Sequence, residues 1–313
     1  MPKTVNALVF YSFATHKTGY INRLFSELEK NASAHNLALS RGSLKDLHVS
    51  IANNILKVTE SLTNKDLCEF DVVYFELWQK SPQQALAVAQ YTQENNIPFF
   101  SEELACFPAI SKLGEYAVLA GNNLPLVDSY FTSNKEIKKL AESNKLPFTF
   151  PFIVKDIEAY GGNNNFLIKN EKELLTILEE NKNCSFVLQP FIPNDGDYRL
   201  LILGGEVKLV IHRQRIKNTS HLNNTSQGAE GKIIDIHTLP KNVITDALKA
   251  AKLLNRSSFA GVDVIINSET NQHYILEVNQ TPQIEEGAEV ENKVNAMLGY
   301  IQERGSKMER ENA

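Results

Sequence analysis

Two short runs near the C-terminus, FAGVDVIIN (259–267) and HYILEVN (273–279), constrain this chain more than any other feature. Both read as strands. Successive strand side chains point to opposite faces, so Gly261, Asp263 and Ile265 share one face of the first, and Ile275, Glu277 and Asn279 one face of the second. The polar link SETNQ (268–272) suits a hairpin loop centred on Thr270, which sets Asp263 opposite Glu277 with Asn279 beside it. Two carboxylates and an amide oxygen then converge among strongly apolar neighbours. Unneutralised, the charges repel and desolvation makes them costlier. A hard divalent cation resolves this, and Mg2+ typically uses one or two carboxylates together with substrate phosphates. An edge hairpin whose acids face solvent is the alternative that spacing alone leaves open.

The first hundred residues alternate apolar runs with helical patterns: a strand at 5–11, a helix over 21–39, a strand at 70–77, a helix at 83–96 and a third strand at 97–100. This alternation indicates parallel strand–helix–strand units, hence a Rossmann-like first domain. The segment after the first strand, YSFATHKTGY, lacks a GxGxxG fingerprint, which argues against an NAD-dependent oxidoreductase. Helices are expected at 109–121, 134–146, 171–182 and 240–255, and strands at 148–156, 166–168 and in a run from Cys184 onward. The expected division is 1–106, 107–185 and 186–304, an α/β domain followed by two α+β lobes, with 305–313 a polar, frayed tail. A net charge of −5 argues against a chain whose main task is gripping nucleic acid. No apolar stretch is long enough to span a bilayer. Cys68, Cys106 and Cys184 form neither a disulfide framework nor a CxxC pair, and the expected location is the cytoplasm.

Two further segments carry chemistry. Lys155 ends the strand FPFIVK ahead of EAYGGNNN, where Gly161 and Gly162 permit close backbone approach to a triphosphate or simply form a hairpin turn. A buried-looking strand ends at Gln189-Pro190-Phe191-Ile192, whose backbone groups suit an adenine edge, Pro190 offering only its carbonyl. Asp197 and Arg199 open the next strand, and Arg213 and Arg215 close its partner across Gly204-Gly205. Clustered arginines favour phosphate, and a solvent-facing charged sheet is the alternative. A plain two-residue hairpin puts Arg199 and Arg213 on opposite faces, so a bulge or longer turn is needed for both to meet one ligand. The seven histidines show no HxH or HExxH spacing, and there is no GxSxG elbow.

In this order, these pieces resemble the ATP-grasp superfamily, particularly its RimK-type and glutathione-synthetase-like carboxylate–amine ligases. The resemblance runs through Ser111-Lys112-Leu113, PFIVK with its GG loop, LQPFI, DYR, HRQ, NNTSQGA and GVDV…LEVNQTP. It implies an ATP-grasp fold with an N-terminal pre-ATP-grasp domain and two lobes holding ATP between them. By matching positions, Lys112 and Lys155 contact phosphates, and Gln189, Pro190, Phe191 and Ile192 form the adenine hinge. Asp197 faces the ribose side, while Arg199 and Asn224 lie toward the nucleotide. Arg213 stabilises an acyl-phosphate and its tetrahedral successor. Asp263, Glu277 and Asn279 hold one or two Mg2+ ions, or Mn2+.

The implied reaction joins a carboxylate to an amine in two steps, with ADP and phosphate released, on an amino acid, small peptide or peptide tail. EAYGGNNN is the expected lid. Neither nucleic acid nor a membrane is an expected partner, and homo-oligomers are common in such families. Where the glutamate-adding member has an arginine before two glycines, this chain reads Gln227-Gly228-Ala229, so the substrate is left open. A nucleotide-binding protein without ligase turnover is the competing class.

Overall fold

The continuous burial of Ala7 to Phe10 makes VNALVFY the inner strand of a parallel sheet, the setting in which apolar runs lose their alternation. A computed structural model describes residues 3–12, 18–44, 47–52, 55–60, 62–79, 81–104, 112–131, 134–156, 159, 163–184, 186–214 and 230–311. In the first sheet β1 (Val5–Tyr11) lies between β2 (Leu37–Ser43) and β6 (Val72–Leu77), all parallel. Helix α1 (Thr18–Ala32) packs on one face of this sheet and α2 (Pro82–Glu94) on the other.

The expected helix over 21–39 stops at Ala32, and its last residues belong to β2. Leu37 and Leu39 fit a helical and an alternating period equally, and Asn36 decides between them. At φ 55° it takes the left-handed conformation that ends helices. The expected strand at 97–100 reduces to a single parallel bridge between Phe99 and Val73. Residues 48–66, to which the strand–helix alternation assigns nothing, form a small antiparallel sheet of β3 (His48–Ala52), β4 (Ile55–Glu60) and β5 (Lys65–Asp66).

Helix α3 (Lys112–Gly121) leads into an antiparallel sheet of order β7-β10-β8-β9, built from β7 (Tyr130–Phe131), β8 (Phe152–Asp156), β9 (Asn165–Ile168) and β10 (Phe186–Pro190). Helices α4 (Asn134–Glu142) and α5 (Glu171–Glu180) cover its back through Ile137, Leu174, Phe152 and Phe186. A third antiparallel sheet, order β13-β12-β11-β14-β15, follows. It comprises β11 (Gly196–Leu203), β12 (Glu206–Gln214), β13 (Glu230–Ile234), β14 (Phe259–Ile266) and β15 (His273–Asn279), with α6 (Lys241–Leu253) on one face.

The other face of that sheet is apolar at one end and charged at the other. Leu201, Leu203 and Phe259 join the core of the first sheet, and Asp197, Arg199 and Asp263 lie beyond them on the same face. Helix α7 (Val290–Glu311) seals this shared core with Val294, Met297, Leu298 and Ile301 at helical spacing. The expectation of a frayed tail over 305–313 is therefore corrected, since α7 continues to Glu311. Gly305 extends the packed stripe so closely that a Cβ there would lie 2.2 Å from Val5 Cγ1. Among the described residues, no helix is long and apolar enough to cross a membrane.

Candidate functional site

The pairing of β14 with β15 sets Asp263 directly opposite Glu277 and Gly261 opposite Asn279, as expected. The hairpin is not uniform, however. Ile266, Ile265 and Val264 pair with His273, Tyr274 and Ile275, and Leu276 is an extra residue that shifts the register before Glu277. Ile275 therefore lies on the α6 face, packed with Val262 and Val264, and not with Glu277 as alternation predicts.

A second bulge serves the arginines. Ile202 pairs with Val207 but Leu201 with Leu209, so Lys208 is the additional residue, and Asp197 comes to face Arg213. This supplies the condition set by the sequence, and Arg199 and Arg213 meet on one face. Arg199 donates from Nε and Nη2 to the two oxygens of Asp263 at 2.8 and 2.7 Å. Arg213 donates to both oxygens of Asp197 at 2.6 and 2.7 Å and reaches Asp263 Oδ2 at 3.0 Å. Asp197, Arg213 and Asp263 are each no more than 4% exposed. Burial pushes the Asp263 carboxyl up, but Arg199 and Arg213 outweigh it and hold the group well below the usual carboxylate range. The repulsion that the sequence argument assigns to a cation is thus met in part by two guanidiniums. Asp197, expected on the ribose side, has its carboxylate gripped by the Arg213 fork.

The donor set at the end of this network suits a hard cation. Asn279 Nδ2 donates to Asp263 Oδ2 at 3.2 Å and to Glu277 Oε1 at 3.0 Å, so three oxygen-bearing side chains surround one point. Rotating the amide by half a turn would present Oδ1 there instead. Among the described residues no three of His, Cys, Asp or Glu gather as metal ligands, so two carboxylates and one amide are what the patch offers, a set Mg2+ completes with phosphate oxygens.

Lys112 on α3 and Lys155 on β8 approach this patch. Lys112 opens α3 and donates to the Ala159 carbonyl. Burial lowers its amino group; the Glu277 carboxylate opposes that shift and Lys155 adds to it. Lys155 stands on β8, its Nζ 5.4 Å from the centre of the Tyr116 ring. Along the expected hinge, Gln189 donates to Ser129 Oγ at 2.7 Å, and Pro190 closes the ladder opposite Phe152. The Ile192 carbonyl is not free, since Asn194 Nδ2 donates to it at 2.7 Å. After the expected lid glycines, Asn164 takes a left-handed turn at φ 50° and Asp156 N donates to its carbonyl at 3.0 Å. Gly161, Gly162, Arg215, Asn224 and Gln227-Gly228-Ala229 lie outside the described residues.

Three residues near the site escape the sequence reading. Glu115 and Tyr116 follow Lys112 by three and four positions on α3, a spacing that was available as a signal. Arg256 sits between α6 and β14 with no local motif to mark it. It pairs with Glu115 at 2.8 Å and donates to the Val278 carbonyl at 2.5 Å.

Comparison with known proteins identifies the fold and the family. The ATP-grasp ligase PsnB complexed with minimal precursor superposes with a TM-score of 0.68 at 15% identity, covering 98% of this chain and 99% of that one. D-alanine–D-alanine ligase from Bacillus anthracis complexed with ATP gives 0.66 at 15%, covering 99% and 100%. At that identity they show the fold, which is ATP-grasp. Among curated proteins, the uncharacterized protein MG011 of Mycoplasma genitalium is 30% identical over 163 residues, 51% of each chain. Its Mycoplasma pneumoniae homolog is 27% identical over 160, so the chain spans about half the length of the curated relatives it matches. Residues 109–302, from the segment before α3 into α7, match the model of the RimK-like ATP-grasp domain, and the chain belongs to that family.

Proposed function

We propose that this protein is an ATP-dependent carboxylate–amine ligase that forms an amide bond and releases ADP and phosphate. The observation that carries the reading is the meeting of Lys112 and Lys155 with the face that bears Arg199, Arg213, Asp263, Glu277 and Asn279. Phosphoryl transfer asks a protein chiefly for positioning and for neutralising charge on the moving group, and this cleft offers cations on both sides. In the proposed reaction a substrate carboxylate oxygen attacks the γ-phosphorus of ATP, giving an acyl-phosphate and ADP. The amine then attacks the acyl carbon and phosphate leaves. Lys112 and Lys155 orient the phosphates, and Arg213, held by Asp197, offers a fixed charge for the transferred group. Asp263, Glu277 and Asn279 would hold Mg2+, which supplies charge neutralisation between phosphate oxygens. The parts 1–106, 107–185 and 186–304 are the division we propose for this machinery.

PsnB has been solved with a precursor peptide and AMPPNP, and with minimal precursor, Mg and ADP, which supports a peptide as well as a free amino acid as the substrate class here. The test is ADP release from Mg-ATP by the pure protein across pools of amino acids, dipeptides, small carboxylic acids and peptides, with mass spectrometry of responding pools. ADP, phosphate and a product lighter by one water than its two precursors support the ligase. ATP binding without turnover in every pool would leave a nucleotide-binding protein without ligase chemistry.

A further inference from the structure

Had the β14–β15 hairpin kept the register of its first three pairs, Leu276 would face Asp263, and Glu277 would sit opposite Val262 on the apolar α6 side. The one extra residue at Leu276 is what turns Glu277 and Asn279 toward Asp263, since a one-residue slip reverses the face of everything after it. β15 is the edge strand of its sheet, so within the sheet the bulge has a ladder partner on one side only.

The support comes from the segment that begins with Lys112. Ile275 N donates to the Pro125 carbonyl at 2.8 Å, and Leu126 bridges Ile275 in parallel. The Tyr116 hydroxyl donates to the carbonyl of Leu276 itself at 3.3 Å. At the preceding residue of α3, Glu115 takes the Arg256 guanidinium at 2.8 Å, and Nη1 of the same group donates to the Val278 carbonyl, the residue between Glu277 and Asn279. Arg256 is 3% exposed, so this contact is made in a low-dielectric setting where a charge-assisted hydrogen bond counts most.

We propose that Tyr116, Glu115 and Arg256 are positioning residues that hold the bulge at Leu276 and so set Glu277 and Asn279 against Asp263 and Lys112. The helix that offers a phosphate-side lysine thereby also fixes the side chains across the cleft from it. This inference rests on the proposed nucleotide site.

The experiment compares Arg256→Met, Arg256→Lys and Tyr116→Phe with the wild-type chain by amide hydrogen exchange and by the Mg2+ dependence of ADP binding. Tyr116→Phe removes one oxygen and keeps the ring beside Lys155, so it tests the idea even where Arg256→Met folds poorly. Both variants are expected to speed exchange across 275–280 by about ten-fold, the scale of one strong hydrogen bond, with β11 unchanged. The Mg2+ midpoint for ADP binding should rise with it, and Arg256→Lys should recover part of the loss. Unchanged exchange at 275–280 overturns the proposal, as does faster exchange with an unmoved Mg2+ midpoint. A wild-type chain that binds no ADP at any Mg2+ concentration removes the nucleotide-site reading, and the role assigned to the clamp with it; the exchange data then report separately whether the strand is held.

Discussion

Glu103 lies in the short helical turn before α3 and is 3% exposed. Burial pushes its carboxyl up from the ordinary 4.5 to about 7, and Arg256 opposes the shift without cancelling it. A raised carboxyl means that the folded chain keeps a proton which the unfolded chain releases. Stability from this group is therefore full below the ordinary value, declines as pH rises toward about 7 and is flat above. A rise from 4.5 to about 7 corresponds to about 3 kcal/mol. Glu103→Gln makes the neutral form permanent. It should match the wild type in urea unfolding near pH 4 and exceed it by up to about 3 kcal/mol near pH 8. Arg256 retains Glu115 in the variant, so no cation is stranded. A gain that is equal at both pH values, or a loss that grows with pH, would refute the reasoning.

Three other outcomes are expected. Asp263→Asn leaves Arg199 and Arg213 sharing one buried carboxylate fewer and should cost about 3–5 kcal/mol in urea unfolding. The stability that Asp263 lends is present above the usual carboxylate range and lost as pH falls below it, so the variant should also flatten the acid limb of the stability profile. Asn279→Ala should nearly abolish ADP formation with an unchanged melting temperature, and unchanged turnover would remove the metal assignment. Gly305→Ala forces a Cβ into Val5 and should lower stability by about 1–3 kcal/mol, measured by thermal melting, whereas a frayed tail would tolerate it.

The charged patch was legible in the sequence because alternation within a strand is a local rule, and Asp263, Glu277 and Asn279 obey it once paired. The polar link centres the hairpin at Thr270, although the first three observed pairs turn about a point half a residue earlier. The bulge at Leu276 makes up the difference, which is why alternation matches the acids yet puts Ile275 on the wrong face. The need for irregularity between Arg199 and Arg213 was also readable, but its site at Lys208 was not, because nothing local distinguishes that residue from its neighbours. Arg256 illustrates the remaining limit. Its partners are Glu115 and Val278, and only the folded chain brings them together. The end of α1 is not legible locally because Leu37 and Leu39 satisfy two periods at once.

The docking of α7 against β1 has a consequence for synthesis on the ribosome. Val5, Val9, Leu24 and Leu28 share one apolar cluster with Val294, Met297 and Ile301, so the α1 side of the first sheet is only partly covered until α7 has been made. At translation rates of about 5–20 residues per second, β1 waits roughly 15–60 s for that helix. Closing so long a loop also slows folding after release. The nascent chain is accordingly the form in which the apolar side of β1 is most open to aggregation and to chaperones.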